Sequence, residues 1–530
     1  MEGRLADHPI LHFDRGNQVK FYFEGKPVTA YATETIAAAL YASGVRIFSR
    51  SMKYHRPRGF FCAIGRCSAC MMTVDGVPNV RTCMTNVTEG MQVTRQNAFP
   101  NADRDLLSVI DKLGFYFSMK SGFYHRKLIR PAFMRKFYIK MLSKFVGLGK
   151  LPSETQFTKT QDNKITKEAD VVIIGGGPAG LSAALEAGRR CPKVILLDDK
   201  AMLGGQLVKQ THRFFGDARH HAGTRGIKIA SSLSQQLSQI KSVNTFLGAS
   251  VFGIYNGRLV AAMQDRRLLK IHARKIIIAT GAYERTLVFE NNDLPGVYGA
   301  GGVQTLMNTY GIKPGIRALI VGSGNVGLIL SYQLLQAGVN VAAIVEALPQ
   351  VGGYLVHAAK VRRQGVEILT SHTIVKAIGR KQVKGAVVAQ IDDSFKPIPG
   401  TERKFDCDMI CIAVGLSPTY ELVTHAGGQM SFVPELGGFV ARRTRYMETS
   451  EGVYVAGDAS GIEEATTAML AGQVAGVHAS VKLGYGLPDD EKQLERLIRT
   501  LNEERSGPFG DKIRRGLQNV LVQEEIKVEA

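Results

Sequence analysis

The chain lacks the sequence features of a secreted, membrane-spanning or disulfide-stabilised protein. Residues 1–14 are mainly polar and contain no apolar segment of the kind that a secretory signal requires. The longest apolar stretch, Ala318 to Val345, is interrupted by glycine, asparagine and glutamine, so it predicts a buried strand–turn–helix unit instead of a membrane span. Only seven of the 530 residues are cysteine, and four of these form one cluster. This distribution argues against a disulfide framework and favours metal ligands in a reducing compartment, so we expect a cytoplasmic protein.

Acidic residues are missing from one long segment, which carries much of the net charge of +21. No Asp or Glu lies between Asp111 and Glu154, whereas ten Lys or Arg residues do. No nucleic-acid-binding motif accompanies them, so nucleic-acid binding is not predicted. Apolar residues at helical spacing predict an amphipathic helix here: Phe133, Met134, Phe137, Tyr138, Met141, Leu142 and Phe145. Three roles stay open for it: a linker helix packed on its own protein, a peripheral contact with a membrane, or a docking face for an acidic subunit.

The glycine-rich stretch Ile174 to Gly180 predicts a dinucleotide-binding unit. It follows an apolar β-branched run and opens a helix-like stretch. Its glycines fit the pattern GxGxxG at Gly175, Gly177 and Gly180. The first glycine permits the tight turn, the second lets the backbone approach a pyrophosphate, and the third lets the helix pack on the strand. The next strand ends at Asp198, whose carboxylate can bind a ribose hydroxyl.

Three further turns complete a predicted FAD site. Gly205 and Gln206 form a backbone turn that can approach phosphate or ribitol, although a plain turn would look the same. Thr280 and Gly281 belong to an ATG turn typical of flavoproteins with two dinucleotide-binding domains. Asp458 ends the string YVAGD and would accept hydrogen bonds from ribitol, while the helix after it would face the pyrimidine edge of the flavin. The alternative is that Asp458 only caps its turn.

A second strand–turn–helix unit, starting at Arg317, repeats the pattern. Its GxGxxG glycines are Gly322, Gly324 and Gly327. The next strand ends at Glu346, and a carboxylate there favours NAD over NADP because it repels a 2′-phosphate, although Arg362 and Arg363 could complicate this preference. An empty domain, or one holding another adenine nucleotide, remains the alternative. We expect this NAD-binding domain to interrupt the FAD-binding domain, with the strand Met409 to Val414 returning to the latter.

The N-terminal region predicts a small β-grasp domain with a cysteine cluster. Two alternating strands, Val19 to Phe23 and Val28 to Tyr31, precede a helix, Ile36 to Ala42. The cluster has the spacing C-x4-C-x2-C-x12-C and consists of Cys62, Cys67, Cys70 and Cys83. A predicted hairpin returns the last cysteine beside the third, and four thiolates on such a loop suit a [2Fe-2S] cluster. Structural zinc is the alternative, although zinc sites usually show two CxxC pairs.

The three remaining cysteines form no CxxC pair, so a redox dithiol of the thioredoxin reductase type is not expected. These are Cys191, Cys407 and Cys411, which we interpret as buried small residues. The predicted fold is α/β, with two Rossmann-like dinucleotide-binding domains and an N-terminal β-grasp ferredoxin-like domain. The predicted boundaries are 10–100 for the ferredoxin-like domain, 101–167 for the basic linker, 168–290 and 406–486 for the FAD-binding domain, 291–405 for the NAD-binding domain and 487–530 for a charged C-terminal tail.

These motifs resemble the alpha subunits of heteromeric amine and amino-acid oxidases and dehydrogenases, such as sarcosine oxidase and hydrogen cyanide synthase. The resemblance rests on Glu34–Leu40, on His55–Gly59, on the cysteine cluster followed by Val74–Gly76, and on the ATG and AGD turns. It extends from Val19 to about Gly486. The sequence differs from plant ferredoxins, whose last cysteine lies much further on, and it shows no long folate-binding extension of the sarcosine oxidase kind.

The resemblance implies an FAD- and [2Fe-2S]-dependent oxidoreductase that passes electrons between FAD, NAD(H) and the cluster. It also implies a separate beta subunit, a flavoprotein resembling glycine or sarcosine oxidase, that oxidises a small-molecule amine. No acid–base pair for amine oxidation stands out, so no catalytic residue is predicted. Two other functions stay open: an NADH-dependent reductase that feeds a membrane quinone or another acceptor, and an electron-transfer subunit without a substrate of its own.

Overall fold

The computed structural model describes residues 3–52, 54–109, 111, 133, 135–137, 149, 164–214, 221–256, 258–265 and 267–522. The chain forms two compact units, the first from Met1–Thr158 and Glu284–Val414 and the second from Lys159–Tyr283 and Gly415–Ala530. Most of the predicted amphipathic helix between Phe133 and Phe145 lies outside the described residues, so its role remains a prediction.

The N-terminal part of the first unit is a five-stranded sheet covered by one helix. Its strands are β1 (Gln18–Phe23), β2 (Lys26–Tyr31), β5 (Met71–Val74), β6 (Val77–Arg81) and β7 (Gln92–Thr94), in the order β2-β1-β7-β5-β6, with a small hairpin of β3 (Ser49–Arg50) and β4 (Pro57–Arg58) beside it. The helix α1 (Ile36–Ala42) is buried along its whole length, because its alanine-rich sequence can lie flat on the sheet. Thr35 caps it, since its hydroxyl oxygen accepts the Ala38 N–H at 3.3 Å. The predicted hairpin and helix are confirmed.

The second unit begins with a parallel Rossmann-type sheet. Its strands are β8 (Lys164–Ile174), β9 (Val194–Leu197), β10 (Val243–Phe246) and β13 (Arg267–Ile278), joined by the antiparallel strands β11 (Ser250–Tyr255) and β12 (Leu259–Gln264). Its helices are α2 (Pro178–Gly188) and α3 (Gly226–Ser238). The run Val171 to Ile174 is buried throughout, as a central parallel strand requires. The glycine-rich loop therefore starts at the carboxyl end of a central strand, where open α/β sheets bind ligands.

The chain then enters the first unit and forms a second parallel sheet. β14 (Ala282–Glu284) lies where the chain passes from the second unit to the first. The strands that follow it in the first unit are β15 (Val297–Gly299), β16 (Arg317–Val321), β17 (Asn340–Val345), β18 (Ile368–Leu369), β19 (His372–Gly379), β20 (Val383–Gln390), β21 (Arg403–Phe405) and β22 (Met409–Ile412). The order of strands in the parallel sheet is β15-β22-β16-β17-β18. Its helices are α4 (Ala300–Gln304), α5 (Asn325–Gln336) and α6 (Leu355–Arg363), and one π-helical turn, Thr305–Thr309, extends α4.

One strand was assigned to the wrong sheet from the sequence. We expected Met409 to Val414 to return to the FAD-binding domain, but β22 pairs with β15 and β16 inside the second parallel sheet. All four residues of β22 are buried, so the apolar run meets the needs of a central strand in either sheet. The chain leaves the first unit only after Val414, and the other domain boundaries remain predictions.

The C-terminal part completes the second unit. Its strands are β23 (Leu416–Pro418), β24 (Met430–Val433), β25 (Gly438–Ala441), β26 (Glu448–Ser450) and β27 (Val453–Val455), the last of which pairs in parallel with β13. Its helices are α7 (Glu421–His425), α8 (Ala465–Val481), α9 (Asp490–Glu504) and α10 (Pro508–Gln518). The predicted charged tail is therefore helical over much of its length, and α9 buries Leu494, Leu497 and Leu501.

Candidate cofactor-binding sites

The first glycine loop, Gly175–Gly180, has room only for glycine at its first and third positions. Gly175 has φ +108°, and a Cβ there would lie 2.3 Å from the Ala279 carbonyl oxygen of the ATG turn. A Cβ on Gly180 would lie 1.7 Å from the Gly175 carbonyl oxygen. Gly177 is the N-cap of α2 and offers no side-chain cap, so the first N–H groups of the helix stay available for a phosphate.

A second pair of glycines packs on this loop. The Gly204 N–H donates to the Gly176 carbonyl at 2.8 Å, and both Gly204 and Gly205 have positive φ. A Cβ on Gly205 would lie 2.7 Å from the Gly177 Cα. We call the glycine loop and the Gly204–Gly205 turn together the first cradle. Gln206 follows in a short 3-10 turn, and the contact of both residues with a cofactor remains a prediction.

Burial affects the pKa of two carboxyl groups in the second unit, Asp198 and Asp458. Asp198 accepts the Gly176 N–H at 2.6 Å and the Lys200 N–H at 2.8 Å, and burial raises the pKa of its carboxyl group. Burial also raises the pKa of Asp458, to about 7, and the hydrogen bond recorded for this side chain is a long one, 3.5 Å from the Glu463 N–H. Ribose and ribitol hydroxyls are donors, so the residues present fit an FAD molecule.

The ATG turn is held in place by two hydrogen bonds with Thr419, which directly follows β23. The Thr280 hydroxyl donates to the Thr419 carbonyl at 2.8 Å, and the Thr419 N–H donates to the Gly281 carbonyl at 2.9 Å. The Thr280 side chain is thus engaged in holding the turn, which leaves the left-handed backbone at Gly281 (φ +69°) open towards a ligand. Their role as cofactor-binding residues remains a prediction.

The second glycine loop, Gly322–Gly327, repeats this construction in the first unit. Gly322 has φ +108°, and a Cβ there would lie 2.3 Å from the Ala413 carbonyl oxygen, as in the first loop. A Cβ on Gly327 would lie 2.1 Å from the Gly322 carbonyl oxygen. Gly324 is the uncapped N-cap of α5. Glu346 accepts hydrogen bonds from the Ser323 N–H at 2.8 Å and the Ser323 hydroxyl at 2.7 Å. Arg362 and Arg363 lie exposed in the last turn of α6.

The sequence analysis missed a further turn in this unit. The Gly353 N–H donates to the Ser323 carbonyl at 2.9 Å, and a Cβ on Gly352 would lie 3.8 Å from the Gly324 Cα. Gly352 follows Glu346 at the same distance in the sequence as Gly204 follows Asp198. This repeated spacing of acid and double glycine was the signal that could have revealed the turn. We call the glycine loop and the Gly352–Gly353 turn together the second cradle.

The four clustered cysteines lie together on one loop and the hairpin beside it. Cys62, Cys70 and Cys83 are buried and Cys67 is exposed. The loop reverses direction through left-handed residues at Ala63, Gly65 and Ser68. The Thr82 hydroxyl donates to the Cys70 carbonyl at 2.6 Å, which holds the hairpin beside the loop.

The thiols interact with one another in a row. Hydrogen bonds with Cys67 and then with Cys83 lower the pKa of the Cys62 thiol, and the hydrogen bond with Cys83 lowers the pKa of Cys70. The same hydrogen bonds raise the pKa of the Cys67 and Cys83 thiols, because one thiol of each pair donates to the other. Within the described ranges, no three His, Cys, Asp or Glu side chains are arranged around a single-ion site. A set of four thiol donors nevertheless matches the chemistry of a [2Fe-2S] cluster.

The cysteine loop rests on the second parallel sheet of the same unit, a contact that the sequence did not reveal. The Gly299 N–H donates to the Phe61 carbonyl, next to Cys62, at 3.2 Å. A Cβ on Gly302 would lie 2.2 Å from that carbonyl oxygen, so helix α4 can approach the loop only with glycine there. Beside it, Arg56 and Arg58 both lie 3.3 Å from carboxylate oxygens of Asp293.

The other three cysteines are buried, as predicted, and the Cys191 thiol donates to the Ser480 hydroxyl at 3.3 Å. Burial raises the thiol pKa of each of them, and that of Cys407 to about 12, so they are poor nucleophiles.

No helix in the described part of the chain combines the length and the apolar character needed to cross a membrane.

Comparisons with known proteins assign two parts of the chain to families. Residues 169–472 match the pyridine nucleotide-disulphide oxidoreductase family, and residues 16–98 match the 2Fe-2S iron-sulfur cluster binding domain. The second match supports a [2Fe-2S] cluster over zinc as the cofactor of this domain, and the four clustered cysteines remain its predicted ligands.

Individual relatives extend the similarity to nearly the whole chain. Over 90% of its length the chain is 31% identical to sarcosine oxidase subunit alpha of Rhizobium meliloti (strain 1021), of which it covers 47%. It is 27% identical to hydrogen cyanide synthase subunit HcnB of Pseudomonas aeruginosa over 57% of this chain and 69% of that protein. The chain thus spans less than half the length of the sarcosine oxidase subunits that it matches.

A solved structure shares the fold. The crystal structure of L-proline dehydrogenase from P. horikoshii has a TM-score of 0.62 and 23% identity to this chain, and the similarity covers 92% of this chain and 79% of that one. This structure and the family matches confirm the predicted α/β fold. The family matches and the relatives confirm the predicted FAD, pyridine-nucleotide and [2Fe-2S] cofactors and the oxidoreductase class. The chain belongs to the pyridine nucleotide-disulphide oxidoreductase family, as an FAD-dependent oxidoreductase with a fused [2Fe-2S] domain that resembles sarcosine oxidase subunit alpha.

Proposed function

We propose that the chain is the electron-transferring component of a heteromeric oxidase or dehydrogenase for an amine or amino acid of the sarcosine, proline, hydroxyproline or opine type. The relatives named as subunits of sarcosine oxidase, hydrogen cyanide synthase and opine oxidase support a hetero-oligomer. The partner would be a beta subunit, a flavoprotein resembling glycine or sarcosine oxidase, and it would bind the amine.

One observation carries this proposal: a single chain combines the two glycine cradles with the cysteine loop, which is hydrogen-bonded to the domain of the second cradle. This hydrogen bond joins Gly299 and Phe61, next to the ligand Cys62. When bound, flavin exchanges electrons in pairs or singly, a nicotinamide carries only hydride, and a [2Fe-2S] cluster carries one electron at a time. A chain that holds all three converts two-electron chemistry into one-electron transfer, which is the task of a component that serves a partner enzyme.

The protein's part in this work is to bind and orient the cofactors. In the first cradle Gly175, Gly177 and Gly180 would hold the pyrophosphate of FAD, Asp198 its ribose and Asp458 its ribitol. The N-terminus of α8, which has no side-chain cap at Glu464, would stabilise negative charge on the pyrimidine edge. In the second cradle Gly322, Gly324 and Gly327 would hold the pyrophosphate of NAD and Glu346 its ribose. The cluster ligands would be Cys62, Cys67, Cys70 and Cys83.

Anaerobic titration of the cofactor-loaded protein with NADH tests the nicotinamide part. We expect the visible absorbance of the flavin to decrease and a paramagnetic signal of the cluster to appear. In Cys83→Ser the flavin response should remain while the cluster signal and about two irons per chain are lost. Cys191→Ser is the matched control, because this buried thiol lies 3.3 Å from the Ser480 hydroxyl and belongs to no cluster. A flavin that does not respond to NADH would contradict an active nicotinamide site.

Mixing with amines tests the division of labour. The chain alone should show no absorbance change with sarcosine, proline, hydroxyproline or an opine. The same amines should bleach the flavin once the purified glycine-oxidase-like partner is added. Oxidation of an amine by the isolated chain would make the proposed division wrong, and electron flow from NADH to a quinone without any amine-dependent step would favour a reductase instead.

A further inference from the structure

The two cradles differ in one side chain that contacts the ribose-binding acid. In each cradle the residue between the first two glycines donates its N–H to that acid, Gly176 to Asp198 at 2.6 Å and Ser323 to Glu346 at 2.8 Å. Ser323 adds a second bond, because its hydroxyl donates to the same Glu346 oxygen at 2.7 Å. A side chain at Gly176 would crowd the acid itself, because a Cβ there would lie 2.9 Å from the Asp198 Oδ2, and it would also displace the Leu203 side chain.

Ser323 also fastens the double-glycine turn of the second cradle. Its hydroxyl oxygen accepts the Gly352 N–H at 3.1 Å, and its carbonyl accepts the Gly353 N–H at 2.9 Å. The side chain is fully buried, with 0% exposure, so these bonds do not compete with water. One residue therefore joins the glycine loop, the acid and the second turn.

The extra anchor appears where the acid is longer. Glutamate has one more rotatable bond than aspartate, so fixing its carboxylate costs more conformational entropy. In the second cradle both carboxylate oxygens of Glu346 are held, one by the two Ser323 groups and the other by the Leu348 N–H at 2.9 Å. The carboxylate thus has one orientation, and its remaining acceptor positions are set before any ligand binds.

We propose that Ser323 is a positioning residue that determines the nucleotide specificity of the second cradle. By holding Glu346, it directs the carboxylate at the 2′-hydroxyl of the adenosine ribose, which favours NAD(H). It also keeps the negative charge where a 2′-phosphate would lie, which disfavours NADP(H). This inference rests on the proposed nicotinamide function of the second cradle.

Direct binding measurements test the proposal on the full, cofactor-loaded chain, kept anaerobic and reduced beforehand with dithionite so that NADH binds without transferring hydride. Calorimetric titration of Ser323→Ala with NADH should give a dissociation constant about tenfold higher than that of the unmodified protein, equivalent to about 1.4 kcal/mol. The ratio of the dissociation constant for NADPH to that for NADH should decrease by a similar factor. With an NADH analogue that lacks the adenosine 2′-hydroxyl, Ser323→Ala should bind as well as the unmodified protein, because the group that Ser323 orients Glu346 towards is absent.

Two further variants keep the test decisive. Ser323→Gly reproduces the residue that the first cradle uses, so it should fold and show the same loss. Ser331→Ala is the matched control: this serine is also fully buried, but its hydroxyl donates to the Gly327 carbonyl at 2.7 Å and does not reach Glu346. It should bind both nucleotides normally.

The possible results separate the two levels of the proposal. Unchanged NADH binding in Ser323→Ala, or an equal loss for NADH and for the 2′-deoxy analogue, would overturn the specificity role of Ser323. If the unmodified protein binds neither NADH nor NADPH, the proposed nicotinamide site itself fails, together with this inference.

Discussion

The hydroxyl oxygens of Tyr41 and Tyr298 lie 2.6 Å apart inside the first unit, although the two residues are 257 positions apart in the sequence. Tyr41 belongs to helix α1 of the ferredoxin-like domain and Tyr298 to strand β15 of the second parallel sheet. The Tyr41 hydroxyl also donates to the Pro314 carbonyl, so the Tyr298 hydroxyl must donate to Tyr41. Burial raises the pKa of both phenols, so both stay protonated and the chain of bonds persists at neutral pH.

The order of donors predicts an asymmetry between two substitutions. Tyr41→Phe leaves the Tyr298 hydroxyl without its acceptor and the Pro314 carbonyl without its donor, so it should lower the free energy of unfolding by about 2–3 kcal/mol. Tyr298→Phe leaves the bond from Tyr41 to Pro314 intact and should cost only about 1 kcal/mol. Denaturant titration of both variants measures the difference. Equal losses would show that the hydroxyl of Tyr298 is not the donor.

The tyrosine pair also shows what the sequence could not provide. Local patterns suffice for α1, with its Thr35 cap, and for the glycine loop at the end of β8, because neighbouring residues fix these structures. The contact between the cysteine loop and Gly302 joins residues far apart in the chain, and no local sequence pattern encodes this contact. The same limit explains the wrong sheet for Met409–Ile412, since an apolar run suits any central strand. The leucine spacing of α9, in contrast, was available in the sequence and was missed.

A methyl group at Gly302 should separate the cysteine loop from its support. In Gly302→Ala the new Cβ would lie 2.2 Å from the Phe61 carbonyl oxygen and 3.4 Å from the Cys62 carbonyl carbon, and a backbone cannot yield as a flexible side chain does. We expect iron and labile sulfide to fall to less than half of their normal content per chain. FAD content should stay unchanged, because the first cradle belongs to the other unit.

Gly324→Ala provides the comparison for cluster content. It makes the same change in the same unit, but a Cβ at this position meets nothing within 4 Å. Its iron and sulfide content should equal that of the unmodified protein. If both variants keep a full cluster, the contact between Gly302 and Phe61 does not support the cysteine loop.

A buried arginine should prove essential for the attachment of the C-terminal helices. The Arg190 guanidinium, with its side chain only 3% exposed, lies 2.6 Å from Asp490 at the start of α9 and 2.7 Å from Glu186 in α2. Arg190→Met would leave the buried Asp490 carboxylate without its cation and Glu186 with only the exposed Arg189, at a cost of about 3–5 kcal/mol. Arg189→Met should cost no more than about 1 kcal/mol, because Arg189 pairs with the same Glu186 at 3.0 Å but is 51% exposed. Unfolding by guanidinium chloride measures both variants. Their midpoints should be equal only if the buried ion pair between Arg190 and Asp490 contributes nothing to the free energy of unfolding.

The pH dependence of the FAD-free protein should report the state of Asp458. Its pKa is about 7 in the folded chain because of burial, against 3.8 for a free aspartate, so the folded state binds the proton more tightly than the unfolded state. Protonated Asp458 therefore makes its full contribution to the free energy of unfolding below about pH 4. This contribution is lost as the pH rises through about 7. A tenfold change in proton affinity is worth about 1.4 kcal/mol, which sets an upper limit of about 4 kcal/mol for the loss.

Thermal unfolding between pH 4 and 8 measures this loss, and an amide at position 458 removes its cause. Asp458→Asn cannot ionise, so its melting temperature should fall less over this range than that of the unmodified FAD-free protein. Asp265→Asn, at a carboxylate whose side chain is 79% exposed, should keep the full slope. Bound FAD should flatten the slope of the unmodified protein, because ribitol hydroxyls would donate to the ionised carboxylate. If Asp458→Asn leaves the slope unchanged, another group causes the pH dependence. The Asp458 carboxyl group is then not the acceptor that the hydroxyl groups of FAD satisfy.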